Sequence, residues 1–150
     1  MAANPPNTSV RTSHAITIRA NGQTVGVIQS WNPGMNRGIT GVYELNVDTS
    51  GEPIEKVPGN LGGLTISVSR YDLYARRMEK AFGLSDTGML SDQRNPFQVF
   101  EYWRLPDNSQ EVWIYSGCWF SNVGRTFSAT DARLVLVNGT IEFTKRLRAQ

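Results

Sequence analysis

The chain has 150 residues and a mass of 16.7 kDa, which sets the expectation of one domain with a core of its own and no need of covalent staples. Apolar residues make up 39% of it, charged residues 19% and aromatic residues 10%. That balance excludes a disordered, collagen-like or coiled-coil chain and suits a subunit with little surface left to free water. With Lys+Arg at 15 and Asp+Glu at 13 the net charge is only +2, too small to point to nucleic-acid binding through a clustered basic face.

Twelve of the fifteen cations are arginine, the residue suited to bidentate and interface contacts. The basic run Lys145, Arg146, Arg148 is expected as a solvated tail. The lone cysteine, Cys118, rules out an intrachain disulfide and, inside an aromatic run, is expected as a small buried hydrophobe. Residues 1–13 form an expected flexible arm. They are rich in Asn, Pro, Ser and Thr and have no apolar stretch of the kind a signal peptide needs. Nowhere do 18 apolar residues follow one another, so no membrane-spanning helix is expected. A soluble protein, intracellular or assembled from an intracellular pool, is the expectation.

Residues 14–150 read as one domain. Segments 14–20 and 23–30 flank Asn21-Gly22, the dipeptide that suits a two-residue hairpin turn because both positions need positive φ. Residues 31–41 carry Asn32-Pro33-Gly34 and Arg37-Gly38 and read as a turn-rich connection. Residues 42–48 alternate, with Tyr43, Leu45 and Val47 on one face and Glu44, Asn46 and Asp48 on the other. Residues 49–63, with two prolines and four glycines, read as a loop. Residues 64–70 alternate again, Leu64, Ile66 and Val68 inward and Thr65, Ser67 and Ser69 outward.

The one expected helix covers residues 72–82, with Asp72 as N-cap and Gly83 as the stop. Residues 84–95 are polar loop. Segments 97–104 and 111–120 form an expected hairpin around Pro106-Asp107-Asn108, aromatic on both faces and so expected to be covered on both. Segments 133–137 and 140–147 form a last expected hairpin around Asn138-Gly139. The sum is a β-rich α+β domain.

Two of these strands present a face of small or polar side chains, Thr65, Ser67, Ser69 and Glu44, Asn46, Asp48. Such a face meets either ordinary solvent or a water-filled lumen. The same strands lack the proline and inward charge that blunt an open sheet edge, which favours closure through neighbours.

Residues for chemistry are sparse. One histidine, His14, leaves no multi-imidazole zinc site. No nucleophile elbow, zincin motif or Walker A sequence occurs. Gly59-Asn60-Leu61-Gly62-Gly63 precedes a strand, whereas a phosphate cradle opens a helix. Glu52 and Glu55 sit in a loop without the apolar shielding that tunes catalytic carboxylates. No enzyme and no cofactor is expected. Trp31, Trp103, Trp113 and Trp119 could stack on sugars, so a monomeric carbohydrate-binding β-sandwich stays open as an alternative.

The order of segments resembles the tail tube protein of contractile-tailed bacteriophages over about residues 14–148. The matching stretches are Ile28-Gln29-Ser30-Trp31, Val42-Tyr43-Glu44-Leu45, Gly51-Glu52-Pro53, Val57-Pro58-Gly59-Asn60, residues 64–74, residues 115–127 and Val137-Asn138-Gly139-Thr140. Type VI secretion tubes and tailocin tubes are similar to the same fold, so the inner tube of a DNA-free contractile particle is a second alternative.

The resemblance implies two packed antiparallel sheets with a flanking helix, the inner sheet closing into a barrel across a hexameric ring. Rings of this kind stack into a hollow conduit for genome delivery. The implied partners are other copies of the chain, a sheath protein, a tape measure protein, and baseplate and tail terminator proteins. Double-stranded DNA would pass without specific binding. The implied location is the virion tail, assembled in the bacterial cytoplasm without a membrane anchor. By position, the segment 48–63 matches a loop that reaches an adjacent ring, with Asp48, Glu52, Glu55, Lys56 and Asn60 as contacts. Glu44, Asn46, Thr65, Ser67 and Ser69 are lumen candidates. Arg70, Arg76, Arg77, Arg125 and Arg133 are candidates for cross-subunit pairs with Asp72, Glu79 or Asp131.

Overall fold

A computed structural model describes residues 9, 11, 16–20, 22–72, 78–82, 89–127, 129 and 134–149. Eight strands dominate them: β1 (Ile16–Ala20), β2 (Gln23–Thr24), β3 (Ile28–Val42), β4 (Glu55–Tyr71), β5 (Phe97–Arg104), β6 (Gln110–Thr126), β7 (Leu136–Glu142) and β8 (Lys145–Ala149). All their pairings are antiparallel. The strand path runs β2-β1-β5-β6-β7-β4-β3, with β8 beside β6, and it ends on β2 and β3 without closing.

Strand β6 divides the structure. Its first half pairs with β5 and β8, and its second half pairs with β7. The chain from β7 to β8 follows β6 antiparallel along its length, so two neighbouring strands cross together from one sheet to the other. The crossing lies at Gly117, whose φ is +67°, a left-handed conformation that only glycine adopts without strain. Thr144 N–H donates to the Ser116 carbonyl at 3.0 Å across the same point. One sheet is therefore β2-β1-β5-β6-β8 and the other β6-β7-β4-β3.

The two sheets share one core. Ile18 and Ala20 of the first are buried with Ile66, Val68, Val137 and Ile141 of the second. Trp31 of β3 meets Tyr115 of β6 edge to face at 6.3 Å, and Phe82 stacks on Trp31 at 6.4 Å. Cys118 is fully buried, as its aromatic setting predicts.

The hairpin expected around Asn21-Gly22 forms in part, with Ala20 opposite Gln23 and Gly22 at φ +75°, but its second strand is only Gln23–Thr24, and residues 28–30 of the expected strand open β3 in the other sheet; Asn21 lies outside the described residues. Strand β5 falls on residues 97–104, and it joins β6 through a tight turn in which Asn108 takes φ +66°. The inward positions expected for residues 64–68 are also found, with Ile66 and Val68 buried.

Other expectations are corrected. Residues 31–41 are not a turn-rich connection but the body of the 15-residue strand β3. Pro33 is accommodated because β3 is an edge strand, where a missing N–H is tolerated, and register shifts after Gly34 and Arg37 absorb the irregularity. Residues 49–63 are not a single loop. Residues 55–63 belong to the 17-residue strand β4 and pair with β3, Val42 facing Glu55 and Asn36 facing Gly62. The two strands thus project as one long hairpin arm.

Residues 43–46 are not strand either. They lead into a 3₁₀ turn at Val47–Thr49, where the Asn46 side chain accepts from Asp48 N–H at 3.0 Å, a local bond that competes with strand pairing. Asn138-Gly139 is not a turn but lies inside β7. Gly139 is there for space, since a Cβ on it would meet Met78 Sδ at 2.9 Å. The basic run at 145–148 is strand β8 rather than a free tail. Of the expected helix, Met78–Ala81 is helical; Leu73 to Arg77 and the Gly83 stop lie outside the described residues, as does His14.

Candidate functional site: a polar sheet face without basic residues, beside two strand edges

The second sheet carries a face of unusual chemistry. Directly opposed residues on antiparallel strands point the same way, and the registers of β3, β4, β7 and β6 define three rows across it. These are Gly34–Thr65–Glu142–Trp119, Asn32–Ser67–Thr140–Asn122 and Ser30–Ser69–Asn138–Gly124. None of the twelve is Lys or Arg, and Glu142 is the one charged member. The intervening positions, such as Ile66, Ile141 and Phe120, are buried in the core, so the face is fixed by burial of its reverse side.

The polar face is held by short local bonds. The Ser30 and Ser69 hydroxyls are 2.6 Å apart, Ser121 Oγ donates to the Thr140 carbonyl at 3.2 Å, and Asn138 Nδ2 donates to Thr126 Oγ1 at 3.2 Å. Thr65, Ser67 and Ser69 are thus brought together with residues from three other strands. Asn32, Asn138 and Thr140 escape the sequence reading because turn-forming dipeptides hide β3 and β7, and Asn122 escapes it because the strand expected over 111–120 runs on to Thr126.

Glu44 and Asn46 do not share this face. Both sit exposed near the tip of the β3–β4 arm, where the chain turns by way of Ser50 at φ +51° and Gly51 at φ +80°. Asp48 and Glu52 lie at the same tip, while Glu55, Lys56 and Asn60 lie along β4; all are exposed. The arm also exposes Ile39, Tyr43, Leu45, Val47, Ile54 and Leu61, more large apolar side chains than one short segment ordinarily leaves to solvent.

Two edges flank the polar sheet. Strand β3 ends the strand path, and among the described residues the second half of β6 pairs with one strand only, β7; at the start of its other side the Gln93 side chain donates to the Cys118 carbonyl at 3.3 Å and accepts from Phe120 N–H at 3.1 Å. Unpaired strand edges are templates for another strand.

The charged candidates separate. Arg70 is 1% exposed, lying on the core side between Ile28 and Val137, so it is enclosed by its own chain rather than offered to a neighbour. Arg125 Nε lies 3.7 Å from Asp72 Oδ2 within the same chain. Arg76, Arg77, Asp131 and Arg133 lie outside the described residues.

Within the first sheet, Tyr115 donates its hydroxyl to Glu101 Oε2 at 2.7 Å, and burial, then the adjacent carboxylate, push its ionisation well above the ordinary value. Glu101 and Glu111 are buried; the repeated Glu-x-Trp spacing at 101–103 and 111–113 is the sequence signal for them. Among the described residues no group of three or more His, Cys, Asp or Glu could hold a metal ion, and no helix is long and apolar enough to cross a membrane.

These features define a β-structured assembly subunit: a shared-strand pair of sheets, a wet face without basic groups, open edges and an apolar arm. The chain belongs to the Phi812 tail tube protein family, whose model matches residues 6–145. Solved structures share its fold at low identity. The cap terminating the tube of the anti-feeding prophage superposes with a TM-score of 0.71 at 11% identity, covering 99% of this chain and 97% of that one. The sheath/tube terminator of the PVC extracellular contractile injection system gives 0.71 at 9% identity, with 96% and 99% covered. The SPP1 tail tube gives 0.57 at 9% identity, with 89% and 74% covered. A search of curated proteins returned no match.

Proposed function

We propose that this chain is the major tube subunit of a contractile tail, a structural protein without catalytic activity that assembles as hexameric rings stacked into a hollow conduit for the viral genome. The observation that carries this reading is the four-stranded polar face lying between two strand edges. Joining the β3 edge of one subunit to the second half of β6 in the next would satisfy both and turn the polar faces toward one axis. The barrel then closes across the ring, as an edge-free sheet.

A lumen for sliding DNA must not hold phosphates, since each neutralised phosphate adds to affinity. Thr65, Ser67 and Ser69, joined by Asn122, Asn138 and Thr140, line it in this reading, and Glu142 adds repulsion. The β3–β4 arm makes the contact to the adjacent ring, its apolar side buried there and Asp48, Glu52, Glu55, Lys56 and Asn60 supplying polar contacts. The helix at Met78–Ala81 flanks the barrel. The subunit works in the virion tail after assembly in the host cytoplasm, with sheath, tape measure, baseplate and terminator proteins as partners.

The test is negative-stain electron microscopy of the purified protein across a concentration series, alone and with its baseplate components, beside a variant in which residues 43–54 are replaced by a short turn. Rings or hollow tubes from the parent, and rings that fail to stack from the variant, are expected. Tubes of normal length from the variant refute the role of the arm, and monomers throughout with the baseplate present refute the tube.

A further inference from the structure

The core-facing side of the first sheet carries a second constellation. In the β5–β6 register Glu101 stands opposite Trp113, and Trp103 opposite Glu111. Each indole N–H donates to the glutamate two residues before it, Trp103 Nε1 to Glu101 Oε1 at 3.0 Å and Trp113 Nε1 to Glu111 Oε1 at 3.0 Å. Both glutamates are 6% exposed, and a buried carboxylate is strongly unfavourable unless its remaining oxygen finds a donor.

The two remaining oxygens are satisfied differently. Glu101 Oε2 takes the Tyr115 hydroxyl, a neutral donor from its own sheet. Glu111 Oε2 takes Arg11 Nη2 at 2.8 Å, from 100 residues away in the sequence. The Arg11 guanidinium also lies 5.1 Å from the centroid of the Trp103 ring. A second cation stands at the margin, Arg148 Nε at 3.8 Å from Glu111 Oε1, while Arg146 is placed over Trp113 at 4.6 Å.

We propose that Glu111, walled by Trp103 and oriented by the Trp113 indole, is an arginine-selective socket that docks the N-terminal segment onto the first sheet through Arg11. The selectivity follows from shape. A planar guanidinium stacks on an indole and donates to a carboxylate in the same pose, whereas an ammonium presents a compact, strongly hydrated charge. The ligand class is a guanidinium on an extended chain, and the chain's own Arg11 is its occupant. The socket involves neither the polar face nor the β3–β4 arm, so its failure would leave the tube reading untouched.

The test uses the full-length protein below its polymerising concentration, with R11A, R11K and R148A compared by thermal melting and tryptophan emission, each with and without L-arginine amide or L-lysine amide. R11A is expected to melt about 3–6 °C lower with red-shifted emission, and to recover both on adding arginine amide but not lysine amide. R11K should behave as R11A, R148A should stay close to the parent, and the parent with its socket filled should not respond. Emission unchanged in R11A, equal recovery with both amides, or a parent-like R11K would overturn the proposal.

Discussion

Replacing Gly117 with alanine perturbs the point where β6 and the β7–β8 segment pass from one sheet to the other. The residue sits at φ +67°, and a side chain in the left-handed region adds roughly 1–2 kcal/mol. Space adds a second term: a Cβ there would lie 2.5 Å from Thr144 Oγ1 and 2.9 Å from Thr144 Cβ. The hydroxyl can rotate away but the Cβ cannot, so the strands must part, and overpacking of this kind adds about 1–3 kcal/mol. G117A is therefore expected to destabilise the subunit by about 2–5 kcal/mol in urea unfolding of the unpolymerised protein. The double variant G117A/T144G should recover the steric part and leave the backbone part. A G117A protein within about 0.5 kcal/mol of the parent would refute the argument.

Two further predictions follow from burial and from the polar face. Burial pushes the Cys118 thiol up from 9.0 to about 12, so the folded chain keeps that proton to higher pH than the unfolded chain. Its stabilising contribution is complete below about pH 9 and is lost as pH rises toward 12, the folding constant falling up to about tenfold per pH unit from this group; C118A should show a shallower decline in urea midpoint over that window, and parallel curves would contradict it. On the sheet face, S67K and T140K place a cation on a small-residue row, at exposed Ser67 and half-buried Thr140. Each should change subunit stability by less than about 0.5 kcal/mol, permit assembly, and slow DNA delivery by the assembled particles in a salt-dependent way; delivery at the parent's rate would count against a DNA-lining role.

Much of this architecture was legible where local chemistry and tertiary context agree. Gly22 takes the positive φ that its turn needs, and residues 64–68 alternate because one side of β4 is core. The rest was hidden where context overrides turn propensity. Asn32-Pro33-Gly34 looks like a turn, yet an edge strand tolerates proline. Asn138-Gly139 looks like a hairpin, yet the glycine exists to let Met78 approach β7. Misplacing those two segments concealed half of the polar face. Arg70 shows the opposite failure: it falls on the inward side with Leu64, Ile66 and Val68, yet its charge suggests a cross-subunit pair, while the fold encloses it. Residues 49–63 read as a loop because glycines and prolines obscure the pairing of 55–63 with β3, and the alternation at 42–48 suggests a strand where the exposed tip of the arm lies.

The central claim is that the face built on Ser67, Thr140 and Asn122 lines a lumen. A cryo-electron microscopy reconstruction of assembled tubes, at a resolution that shows strand register, tests it most directly. Those three residues are expected to face the axis, with the β3 edge of each subunit beside the second half of β6 in its neighbour. A tube with that face turned outward, or buried between rings, would contradict it.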